Sequence, residues 1–438
     1  MRYGLACLVY NRLHNRITHI KLSAMNIELS ANKQIPPQVW VQAIGRGLYQ
    51  LGSAVLLFYM PIVFVNYGNL SATEVGLAVG GGSVAGFLGN LLGGVLTDSP
   101  KFGRKRSLLA SSTFAVITCT IAVFTSTFAL LLLANIVFGF STGLYWTAAD
   151  SSVMDVTTAE QRQGAFSLLG VADNVGFAAG TLGGGVLLKL LHPEKLLFAA
   201  GGITFLLLLL LFAVAMKETR TSAEGETHNI QKGWKTALTD TRLMIYLLVN
   251  TLFITYIALV GGNLPLYLVK FGGTPETTVA NLFTIGYVGL GALLQVPVVK
   301  AISKFSYLTS LSISMAVWGV GFALVWVLGN SSNTRSVFEL GIFAVFAIAS
   351  IIYKPTSSAW ISELAPTSLR GAYTAIAYQC WTIGYVIGPI VGGWAVDQSP
   401  NIAQNAWLVI ALSTLSGLVI LQVLNKQNPT TSKEQALL

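Results

Sequence analysis

The chain has 438 residues, of which 53% are apolar and 10% charged, and its mean hydropathy is +0.67. A soluble protein of this length needs more charge to cover its surface, so an ordinary globular domain is excluded. The net charge of +9 is read as the Lys/Arg excess of loops on one side of a membrane, not as a nucleic-acid surface. Residues 1–38 form a basic tail with Arg2, Arg12, Arg16, Lys21 and Lys33, too polar to span. Six apolar stretches follow, at about 39–66, 71–97, 106–126, 128–155, 160–189 and 195–216, each long enough to cross a hydrocarbon core as a helix. The polar segment 217–242 is the linker. Six more stretches occupy about 243–270, 276–300, 306–328, 336–362, 367–395 and 403–424, and residues 426–438 form a C-terminal tail. The short alternating segments of a β-barrel are absent. The expectation is an all-α membrane protein of twelve transmembrane helices, in two six-helix bundles at 39–216 and 243–425.

Counting Lys and Arg gives the orientation. With the N-terminus inside, the inner segments hold 20 and the outer segments 4, so both termini and the linker are placed in the cytoplasm. The three cysteines, Cys7, Cys119 and Cys380, are scattered and imply neither disulfides nor a metal site.

The two halves are related. Arg162, Gly176, Gly180, Gly184 and Gly185 recur as Arg370, Gly384, Gly388, Gly392 and Gly393, each 208 residues on. The same offset pairs Tyr145 with Tyr353 and Asp155 with Glu363. A repeat of half the chain length in so apolar a sequence suits two pseudo-symmetric lobes that move something across a bilayer. Glycines at four-residue spacing, including Gly82/Gly86, Gly89/Gly93 and Gly139/Gly143, make bare helix stripes for close packing. In spans 2, 5 and 11 such stripes are also candidates for seams along which helices rock.

The loop after span 2 reads Gly94-Val-Leu-Thr-Asp98-Ser-Pro-Lys101-Phe-Gly103-Arg104-Lys105. It resembles the signature between spans 2 and 3 of the major facilitator superfamily, with Ser99-Pro100 inserted. Span 5 is similar to the superfamily's drug/proton antiporter motif, with Thr181 in place of its proline. The version with proline, Pro389, stands in span 11. The resemblance covers residues 39–425 and is closest to the bacterial multidrug-efflux branch. The antiporter arginine of span 4 is missing: four residues before Gly139 stands Asn135. The resemblance implies the major facilitator fold and a cytoplasmic gate, in which Asp98 meets the start of span 11 near Ser368 and Arg370, and Arg104 meets Asp155.

Ionisable residues at membrane depth are functional candidates because burying them unpaired is costly. Asp173, with Asn174 beside it, lies deepest in span 5. Lys354 is in span 10, Arg46 in span 1 and Asp150 in span 4. The offset of 208 pairs Asp173 with Trp381 and Lys354 with Trp146, so each lobe brings one charge and one tryptophan to a shared cavity, flanked by Tyr145 and Tyr353. Those rings offer apolar area and cation–π attraction to an amphipathic substrate. Asp173 is the first candidate for proton coupling and Asp150 the second. The competing reading holds Asp173 in a structural pair with Arg46 or Lys354.

No phosphate-binding loop and no His-Glu-x-x-His site occur, so neither ATP-driven transport nor a membrane enzyme is read here, and no catalytic residue, cofactor or metal is assigned. The leading expectation is proton-coupled export of small hydrophobic or amphipathic compounds by a monomer. The alternatives are a uniporter or symporter for a sugar, amino acid or organic anion, and a non-transporting membrane sensor or scaffold.

Overall fold

The computed structural model describes residues 35–219, 236–329, 335–366 and 369–427. Among them twelve helices are long and apolar enough to cross a membrane. We number them α1 (Pro37–Asn66), α2 (Ala72–Asp98), α3 (Gly103–Phe124), α4 (Phe128–Val156), α5 (Ala159–Leu190), α6 (Leu197–Ala215), α7 (Thr241–Lys270), α8 (Glu276–Ile302), α9 (Tyr307–Leu328), α10 (Arg335–Leu364), α11 (Arg370–Asp397) and α12 (Pro400–Gln427). Most of the tails, and residues 220–235 of the linker, lie outside the described residues. Consecutive helices alternate in direction. One end of the bundle, where α6 stops and α7 starts, is called the linker end, and the opposite end the far end.

Polar residues at the boundaries set where the helices start. Ser71 caps α2 through the Glu74 N–H, with Glu74 bonding back to the Ser71 N–H. Thr127 caps α4, and the Asp240 carboxylate accepts from the Arg242 and Leu243 N–H groups at the start of α7. Each side chain satisfies donors that the first helical turn cannot.

Helices α1–α6 pack mainly on one another, and so do α7–α12. The lobes match in length: α1 and α7 have 30 residues, α2 and α8 have 27, α3 and α9 have 22. Their first residues, Pro37 and Thr241, Ala72 and Glu276, Gly103 and Tyr307, are each 204 apart, and the offset becomes 208 only beyond α9. One local difference separates the lobes. α7 has a π-turn at Leu259–Asn263 and α8 another at Thr284–Gly289, whereas the N-terminal lobe has none among the described residues.

The repeated glycines show how the lobes are built. A methyl at Gly176 would strike the Gly47 backbone, at Gly180 the Leu51 backbone, and at Gly184 the Tyr59 ring, all on α1. In the second copy Gly384 and Gly388 meet Thr255 and its neighbours, and Gly392 meets Asn263, all on α7. So α5 lies on α1 as α11 lies on α7. The next glycine of each set also reaches the other lobe: Gly393 stands against the Ala72 backbone, and Gly185, with the Tyr59 hydroxyl of its own lobe nearest, reaches Thr277.

The glycine stripes of α2 divide between two partners. Gly82, Gly86, Gly89 and Gly93 of α2 pack against Asn135, Gly139, Phe140 and Gly143 of α4, within one lobe. The contact between lobes uses Gly76 and Gly80 of α2, against Pro389 and Ile390 of α11. We predict that Gly176→Ala lowers stability by about 1–3 kcal/mol, because backbone stands in the way. Gly170→Ala on the same helix, where a methyl meets open space, should be neutral or stabilising by about 0.5–1 kcal/mol. Thermal unfolding of the two variants in detergent checks the opposite signs.

Candidate functional site

Three helices of the N-terminal lobe converge on Arg46. Its guanidinium bonds Asp150 of α4 through Nη2 and Asp173 of α5 through Nη1, the latter at 3.1 Å. It also stands 4.6 Å from the centre of the Trp146 ring. The small surfaces of Gly45 and Gly47 let α1 approach α6 and α5 here. The Arg46 side chain is 7% exposed, that of Asp173 20% and that of Asp150 43%, so Asp150 is the acid that reaches the open space. Asp173 is therefore held by Arg46 and not by Lys354. Asn174 stands apart: it is exposed, and its amide donates to the Gly170 carbonyl of its own helix at 3.0 Å. Asn135, at the position of the antiporter motif's arginine, is buried and donates to the Leu131 carbonyl at 2.9 Å. The cation of this lobe comes from α1 instead.

The facing wall belongs to α10 and α11. Lys354 is exposed, yet protein surrounds it on all sides, as for a side chain pointing into an internal cleft. Among the described residues no acid pairs with it. Trp381 is half-buried and stacks on Tyr385 at 5.8 Å. Tyr378 of α11, absent from the sequence-based set, is 63% exposed and near enough to Asp150 to feel its charge across the cleft. Tyr145 and Tyr353, expected beside the cavity, are buried within their lobes. Tyr145 stacks on Tyr49 of α1 at 3.7 Å, and Tyr353 on Phe253 of α7 at 4.4 Å. They occupy equivalent places because each faces its own lobe's first helix. The Tyr353 hydroxyl also donates to Asn250 Oδ1 at 2.7 Å.

At the linker end, Arg104 Nε bonds Asp155 Oδ2 at 2.9 Å, and its Nη1 bonds Asp98. Asp98 thus sits on Arg104 and is 73% exposed, not on the start of α11. Gly94 has open space before it at this end, and Asp98, Lys354 and Tyr378 are all exposed. Ser368 and the Arg370 side chain lie outside the described residues. Gly103 has a φ of +77°, a conformation that favours glycine. It exposes the next two N–H groups, of Arg104 and Lys105, to the Glu218 carboxylate at 2.9 and 3.1 Å.

At the far end the lobes meet. The Asp397 carboxylate, closing α11, accepts from the N–H groups of Ala72 and Thr73 at 2.8 and 2.7 Å and from the Thr73 hydroxyl at 2.5 Å. With Ser71 on Glu74, the first three N–H groups of α2 are all satisfied. Thr181 and Thr284 share a hydrogen bond at 2.6 Å between α5 and α8. Tyr67 donates to Glu276 at 3.0 Å. Partial burial, then the Glu276 carboxylate, push the Tyr67 phenol up to about 12, so it stays a donor. Beneath lies a cavity of about 100 Å³ lined by Phe58, Val79, Phe177, Asn263, Tyr385 and Pro389. Sequence reasoning missed Asp397, Tyr67, Thr284 and Gly76. Only Asp397 carried a signal, as the acid ending α11 just as Asp98 ends its antiparallel partner α2. The cleft is thus closed at the far end and open at the linker end.

A family model described as Major Facilitator Superfamily matches residues 43–290 and 259–437. The chain is similar to a Salmonella typhimurium protein named multidrug resistance protein MdtH, 25% identical over 369 residues, 83% of this chain and 88% of that one. It is also similar to a Planococcus maritimus protein named Na(+), Li(+), K(+)/H(+) antiporter, 27% identical over 372 residues, 76% of this chain and 83% of the relative. Among solved structures, the nucleoside transporter NupG superposes with a TM-score of 0.75 at 14% identity, over 89% of this chain and 100% of that one. A peptide transporter POT does so at 0.70 and 14%, over 90% and 95%. At that identity these two speak for the fold alone.

Proposed function

The chain belongs to the major facilitator superfamily, and from that premise we propose that it exports small amphipathic compounds in exchange for protons, by alternating access. That it is a multi-pass membrane transporter and not an enzyme follows from the family and the twelve apolar helices. The finer reading places it in a bacterial inner membrane as a monomer, with the linker end facing the cytoplasm. The cleft then faces the cytoplasm, ready to load.

One observation carries the exchange reading: a single guanidinium serves two carboxylates on the wall of the cleft. Arg46 balances one negative charge. The second must be balanced by a proton or by a cationic group of the substrate, because an unbalanced charge at this depth is costly. Proton and substrate therefore compete for one place, which is the requirement of antiport. Asp150 is the better placed acid, being the more exposed, and Asp173 becomes the inner anchor of Arg46. The names of the relatives, one a multidrug resistance protein and one a cation/proton antiporter, favour the same reading.

We predict that Asp150→Asn abolishes substrate-driven proton movement in proteoliposomes while substrate is still carried down its own gradient. Undiminished proton movement in that variant would sink the assignment. The alternative, a facilitator or symporter for an anionic metabolite, gains support from Lys354, the cation without an acid partner among the described residues. It predicts uptake of organic anions with no dependence on Asp150.

A further inference from the structure

We propose that the transported compound is a zwitterion with an aromatic or aliphatic body, its cationic group taken at Asp150 and its anionic group at Lys354. This rests on the cleft being the transport pathway. It goes further by naming the chemistry of the cargo.

The opposing charges lie at similar depth. Lys354 and Trp146 are each ten residues from the linker end of their helices, Arg46 nine, Trp381 eleven, Tyr378 eight and Asp150 six. At 1.5 Å per residue they fall within about 9 to 17 Å of that end. The N-terminal wall holds two carboxylates and one guanidinium, a surplus of one negative charge, presented by the more exposed Asp150. The facing wall holds one ammonium, Lys354, with no acid near enough to pair with it among the described residues. The four charges sum to zero, but the two walls do not cancel each other by contact. Trp146, Tyr378 and Trp381 supply flat apolar area between them.

While the cleft is open, water hydrates Lys354 and Asp150. Alternating access requires the lobes to close around both, and that strips the water away. A cation alone would leave Lys354 uncompensated on closure, and an anion alone would leave Asp150 so. A zwitterion gives each wall its complement and adds no net charge to the closed cavity. A proton on Asp150 removes the partner of the cargo's cationic end and so favours its release while the cavity is open and Lys354 is hydrated.

The test uses three probes on one scaffold: 2-naphthylalanine, with both charges; 2-(2-naphthyl)ethylamine, with the cation only; and 3-(2-naphthyl)propionate, with the anion only. Each is bound to the purified full chain in nanodiscs. The zwitterion is expected to bind roughly tenfold or more tighter than either parent, the scale of one added charge-assisted contact. Lys354→Gln should collapse the ratio of zwitterion to amine. Asp150→Asn should collapse the ratio of zwitterion to acid. Lys354→Arg, which keeps the charge, should retain the first ratio and serves as the folding control. The inference is overturned if the amine or the acid binds as tightly as the zwitterion to the unmodified chain, or if Lys354→Gln leaves the ratio intact. Zwitterion binding without movement against a pH gradient in proteoliposomes would retain the cargo chemistry and reject the exchange reading.

Discussion

Arg46→Met is expected to abolish exchange and to cost about 3 kcal/mol of stability, the lower end of the range for removing one partner of a buried ion pair. The reason lies in what remains. Asp150 and Asp173 would face each other with no cation between them, and Asp173 is mostly buried. The lower end applies because Asp150 reaches the cleft and keeps some water. The triple variant Arg46→Met, Asp150→Asn, Asp173→Asn should recover most of the stability, since it leaves no lone charge. It should not recover proton-coupled movement. Thermal unfolding and proteoliposome flux on the two variants separate the roles. Recovery of flux in the triple variant would show that the cluster only holds helices together.

Asp397→Ala should move the chain toward the state open at the far end, by about tenfold in population. Three cross-lobe hydrogen bonds to a carboxylate are lost there, two of them from a helix N-terminus. A helix cap contributes about 0.5–2 kcal/mol, and 1.4 kcal/mol is about tenfold in an equilibrium. The readout is labelling of Val79→Cys, which lines the cavity beneath the far-end contact. In a background lacking the native cysteines, an impermeant thiol reagent added from that side should react faster when Asp397 is alanine. Asp397→Glu should restore slow labelling if the carboxylate is what matters. Equal rates in all three would mean that the glycine and threonine contacts hold the lobes unaided.

The helices were legible because a spanning segment declares itself twice, by apolar length and by the polar residues that stop it. The segment expected at 276–300 forms as Glu276–Ile302, and 128–155 as Phe128–Val156. The charged residues were legible for the same reason, since Arg46, Asp150 and Asp173 stand out against apolar neighbours. Their partners were not. A sequence gives depth along a helix axis, but not which way the helix is turned or what lies across from it. So Arg46 and Lys354 were equal claimants for Asp173 until the packing of α5 on α1 decided between them. Tyr145 and Tyr353 were rightly paired by the repeat but face inward, because an offset relates positions without saying which side of the helix they occupy. The far-end contacts were hidden for a different reason. They join residues from 103 to 325 apart, and apart from Asp397, Tyr67 and Glu276 they use glycines, threonines and backbone that stand out nowhere in so apolar a chain.

The glycine pairs at 184/185 and 392/393 put two different demands on neighbouring residues. Gly184 and Gly392 serve the assembly of their own lobes, Gly393 looks toward the opposite one, and Gly185 meets both. Positions 392 and 393 therefore answer to separate requirements, one for a durable scaffold and one for the ease of turnover. A substitution at 393 is expected to change the speed of the transporter while leaving its folding untouched, and a tolerance map of this helix should show the boundary as an abrupt step between consecutive positions.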